Sequence, residues 1–123
     1  MKLAQRIIAV LAVLLSLQMA NALAAAKYSA EDPDIAAAVY GMLTIMIEVG
    51  ECTNGTIDQR GLNKFLKNAG LTAATVKKKC QECYESGLKG AVMIVKQKGP
   101  DAYCATMKQL YGPKGTQFPG LMK

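Results

Sequence analysis

The chain has 123 residues, of which 51% are hydrophobic, and a formal net charge of +6. That length holds one domain, and four cysteines in so short a chain carry much of its information. There is no histidine, which excludes a Ser-His or Cys-His nucleophile pair, a histidine metal ligand and an imidazole pH switch.

The N-terminus reads as a targeting segment. Lys2 and Arg6 precede an apolar run, Ile7 to Leu17, and small residues follow as Ala20-Asn21-Ala22 and Ala22-Leu23-Ala24. This order is that of a cleaved signal peptide, here residues 1–24. The apolar run of eleven residues is shorter than the roughly 17–25 residues a membrane-spanning helix needs. Cleavage leaves about 99 residues and, with Lys2 and Arg6 gone, a net charge of +4. The destination expected is periplasmic or extracellular. There, an even number of cysteines in a small chain points to disulfides.

Residues 25–33 read as a flexible arm, and a helical domain spans 34–112. Asp32, or Pro33-Asp34, opens the first helix with an acidic cap and an early proline. From Ile35 to Ile47 this helix carries no charge, so it is apolar nearly all round. It is either the covered centre of the fold or a face for another molecule. The candidate interaction surface is Val39, Met42, Leu43, Met46 and Ile47, pairing with a second copy or another protein. Gly50 to Gly55 is a turn holding Cys52. Thr56 and Gln59 have capping-box spacing, and a second helix runs through Leu62, Phe65 and Leu66 to a left-handed stop at Gly70.

A long helical pattern follows from Leu71 to Lys98. Its stripe is Val76, Cys80, Cys83, Tyr84, Gly87, Leu88, Ala91, Ile94 and Val95, so both cysteines are expected in mid-helix and on the buried side. Gly99-Pro100 opens a last helix with the stripe Tyr103, Cys104, Met107, Leu110 and Tyr111. Residues 113–123 form an irregular tail. The fold class expected is all-α, a small four- to five-helix bundle stapled by disulfides.

Four cysteines allow three pairings. Cys80 and Cys83, three apart on one intact helix, are expected to reach different flanks. Cys52–Cys83 with Cys80–Cys104 is favoured, and Cys52–Cys80 with Cys83–Cys104 is the near alternative. A straight helix from Cys83 to Lys98 is about 22 Å long, and helix four recovers only about 7–8 Å of that by Cys104. A bridge from Cys104 to this pair therefore requires a hinge near Gly87–Gly90.

No residue is assigned a catalytic role, and no metal or cofactor is expected. A redox Cys-x-x-Cys needs a helix N-terminus and an exposed thiol, whereas this pair is placed in mid-helix. Zinc sites show two close cysteine pairs, and here there is one. Lys64, Lys67, Lys77, Lys78 and Lys79 form a basic face that could meet an anionic membrane surface. Nucleic acid is not expected, because Arg60 is the only arginine beyond the targeting segment. The function expected is non-enzymatic: protein binding or self-association. Its alternatives are a structural envelope component, a thiol-disulfide oxidoreductase using Cys80 and Cys83, and a basic membrane-surface binder.

Overall fold

The computed structural model describes residues 32–49, Cys52 and 55–123. The expected signal peptide, most of the arm and four residues of the Gly50–Gly55 turn lie outside the described residues. Among those described there are five helices: α1 Pro33–Val49, α2 Gln59–Asn68, α3 Val76–Lys79, α4 Gln81–Lys98 and α5 Pro100–Tyr111. The fold is all-α, with one isolated antiparallel bridge between Ile57 and Met122.

Helix α1 is the centre. Asp32 caps it, its Oδ1 accepting from the amides of Asp34 (2.9 Å) and Ile35 (3.4 Å). Ile35 to Leu43 are buried on every face, as are Thr44 and Met46. Small side chains make this possible in so small a molecule. A Cβ added at Gly41 would collide with the Tyr84 carbonyl of α4, and one at Gly87 with the Ala38 carbonyl of α1. Each helix thus lends the other a glycine at the crossing, and the backbones meet directly. The apolar candidates Val39, Met42, Leu43 and Met46 are core residues, and Ile47 is partly buried against the same core. They pack within this chain and do not form a free apolar face.

Helix α5 seals another side. The Tyr103 hydroxyl donates to the Met42 carbonyl at 2.6 Å, and Tyr111 donates to Gln117 Oε1 at 2.7 Å. Burial pushes both phenols well above the usual tyrosine range, so they remain protonated donors. All five residues of the expected α5 stripe are buried.

The stretch after Tyr111 has no helix, yet it is packed into the core. Phe118, Leu121 and Met122 are buried, and the rings of Phe65 and Phe118 lie 5.0 Å apart. Leu121 and Met122 both donate their amides to the Tyr111 carbonyl. The tail then crosses the start of α2, where Asp58 N–H donates to the Leu121 carbonyl (2.9 Å) and Lys123 N–H to that of Thr56 (2.8 Å).

The start of α2 corrects one expectation. Its cap is Asp58, whose Oδ1 accepts from Gly61 N–H at 3.0 Å, and the helix begins at Gln59. Thr56 is occupied instead by the tail. The end of α2 is as the sequence implies. Gly70 has φ 75°, Leu71 N–H reaches the Leu66 carbonyl, and Leu71 is buried.

A candidate thiol–disulfide site at the start of helix α4

The pattern from Leu71 to Lys98 is two helices, not one. The break falls at Cys80, which has an extended backbone (φ −152°, ψ 87°) and is at once the end of α3 and the N-cap of α4. The expected hinge at Gly87–Gly90 does not occur, since α4 is continuous from Gln81 to Lys98. Gly87 is a contact point with α1 rather than a weak link.

The break explains the cysteine pairing. Cys80 is bonded to Cys83, with Cα atoms 5.2 Å apart, and Cys52 to Cys104, with Cα atoms 5.5 Å apart. Both pairings weighed from the sequence are therefore corrected. They assumed an unbroken helix through Cys80, on which side chains three apart face the same way but rarely bond to each other. As an N-cap, Cys80 turns its side chain back over the first turn of α4. Helix α4 does not bend, and Cys104 is bonded to Cys52 rather than to this pair.

The N-cap is where side chains accept the amides of the first helical turn. Cys80 does this with sulfur, its Sγ accepting from Cys83 N–H at 3.2 Å. The spacing of Cys-x-x-Cys is that of an N-cap to the third helical residue, and this was the signal in the sequence for the break. The sulfur stands at the positive end of an 18-residue helix. Cys80 is half-buried and Cys83 fully buried.

Asp34 completes the corner, and sequence reasoning missed it. It sits 49 positions from Cys83, in the first turn of α1, with Oδ1 3.8 Å from Cys83 Sγ. No pattern in the chain announces that contact. One ligating atom from each of Asp34, Cys80 and Cys83 falls within 4.8 Å of the others. On the other side, Lys77 Nζ lies 5.0 Å from the centre of the Tyr84 ring. Lys64, Lys67, Lys77, Lys78 and Lys79 are all exposed.

The Cys52–Cys104 bond is different in kind. Both residues are buried, and they join the segment before α2 to α5 across 52 positions.

Compared with family models, with curated proteins and with solved structures, the chain matches none of them. Its two cysteine pairs are compatible with an oxidising location. No helix among the described residues is long and apolar enough to cross a membrane.

Proposed function

We propose that this chain is an exported helical protein that exchanges disulfides with a dithiol or disulfide partner at Cys80–Cys83. One observation carries the reading: the pair opens α4, with the half-buried Cys80 sulfur accepting a backbone N–H at the positive end of the helix. This is the environment that stabilises a thiolate and lowers the pKa of a cysteine. Export is supported by the N-terminal sequence pattern and by the presence of two disulfides. The alternative reading, a non-enzymatic binding protein, is less favoured because Val39, Met42, Leu43 and Met46 are core and Cys80 caps a helix rather than lying within one.

In this reaction a partner thiolate attacks Cys80 Sγ. The bond to Cys83 breaks, and its electron pair leaves on Cys83. The partner's second thiol then attacks the mixed disulfide. Cys80 and Cys83 are reduced to thiols, and the partner is oxidised to its disulfide; the reverse order oxidises a partner dithiol. Cys52–Cys104 takes no part and holds the scaffold.

The test is equilibration of the folded protein in glutathione buffers of graded potential, followed by acid quench, alkylation and mass mapping. Cys80 and Cys83 are expected to titrate as a pair while Cys52 and Cys104 stay oxidised, and Cys80→Ser is expected to abolish reduction of a chromogenic disulfide. Resistance of both bonds until the protein unfolds would overturn the reading, as would their reduction together.

A further inference from the structure

The buried sulfur of the pair has its own neighbour, Asp34, an acidic residue at the positive end of α1 that is not the cap of that helix. Asp34 is in the first turn of α1, but Asp32 is the cap there. The Asp34 carboxylate crosses instead to α4, where Oδ1 lies 3.8 Å from Cys83 Sγ. In the disulfide that sulfur bears no proton, so the contact is not yet a hydrogen bond. In the reduced protein the same geometry faces a thiol with a carboxylate.

Resting on the exchange reading above, we propose that Asp34 is a catalytic residue, the acceptor of the Cys83 proton when that sulfur closes the disulfide. The step starts from a mixed disulfide between Cys80 and a partner. The Asp34 carboxylate takes the proton from Cys83. The sulfur, now a thiolate, attacks Cys80 Sγ. The Cys80–partner bond breaks, and the partner leaves with the electron pair as a thiolate, which solvent protonates. Asp34 then loses its proton to water. Cys83 is fully buried, so bulk water is poorly placed to take this proton and a resident base is needed.

The other ionisable groups at this corner are accounted for. Asp32 serves the first turn of α1. Lys77 of α3 is drawn to the face of Tyr84. Glu82 and Glu85 of α4 are exposed, with Glu85 accepting from Gln81. Lys78 and Lys79 are also exposed. Among the described residues, the ligating atoms gathered at the disulfide come from Asp34, Cys80 and Cys83.

The two sulfurs thus act in separate steps, and those steps can be timed apart. Reduced protein is mixed with a chromogenic aromatic disulfide in a stopped-flow instrument. The first chromophore release reports attack by Cys80, and the second reports closure by Cys83. Asp34→Asn is expected to slow the second release on the order of 100-fold at neutral pH, and to affect the first far less. The deficit should narrow as pH rises and the thiol ionises unaided. Asp34→Glu should recover part of the rate. Mass mapping of an intact Cys52–Cys104 bond in each variant establishes that the fold is kept. Closure at the same rate in wild type and Asp34→Asn, across pH, would overturn the proposal. So would faster closure in the variant, which would make the carboxylate only a repelling charge, and so would equal slowing of both releases. No first release in the wild-type protein would instead sink the exchange reading itself.

Discussion

At the scale of single residues, the glycines separate two kinds of constraint. At Gly87 the obstacle is packing: a Cβ would run into the Ala38 carbonyl, which belongs to a rigid helix backbone. At Gly70 there is open space but a φ of +75°. Gly87→Ala should therefore cost about 2–3 kcal/mol, as overpacking does, and Gly70→Ala about 1 kcal/mol, the cost of a left-handed conformation for an L-residue. Chemical denaturation of the two variants checks the order, and a smaller loss at Gly87 would mean that α1 and α4 do not cross in direct contact. The sequence shows Gly87 as a weak point in a helix because propensity counts only the local chain. What it gains is across the crossing, with a residue 49 positions earlier. Asp34 was illegible for the same reason, whereas Asp32, Gly70 and Pro100 were legible because each acts on its own helix end.

At the scale of elements, helix ends decide where side chains point. The capping residue of α2 is Asp58. Asp58→Ala should lower stability by about 1 kcal/mol, while Thr56→Ala, at an exposed side chain, should change it by less than about 0.5 kcal/mol. Denaturation midpoints distinguish this from a Thr56–Gln59 capping box, in which the two losses would be equal or reversed. The start of α4 was misread for a related reason. An N-cap keeps the phase of the helix it opens, so the apolar period runs through Cys80 without interruption. Periodicity alone cannot tell two helices in register from one. The irregular residues 113–123 were read by their glycines and prolines, which report the absence of helix correctly. They do not report that Phe118, Leu121 and Met122 are buried.

At the scale of the whole molecule, the two disulfides divide the work. Closing the 52-position separation of Cys52–Cys104 removes chain entropy worth about 4 kcal/mol, and the three-position separation of Cys80–Cys83 about 2 kcal/mol. The Cys52→Ala/Cys104→Ala double variant should lose roughly twice the stability of Cys80→Ala/Cys83→Ala in urea unfolding. Equal losses would mean that the short bond is as much a staple as the long one. The covered centre was one of two readings of α1 and the break at Cys80 was not foreseen, while the all-α class, the stop at Gly70 and the α5 stripe could be read from local periods and caps. The pairing could not, because it depends on one residue leaving the helix.

The short bond also bears on how the long one comes to be made. Cysteines leave the ribosome in the order 52, 80, 83 and 104. Before Cys104 arrives, an oxidant would find Cys52 with only two candidates, both wrong. Cys80 and Cys83 are three residues apart and close on each other first, because the shortest loop has the smallest entropic barrier. That takes both out of circulation. As long as that bond stays closed, Cys52 and Cys104 are the two free thiols, and sequence order favours their pairing.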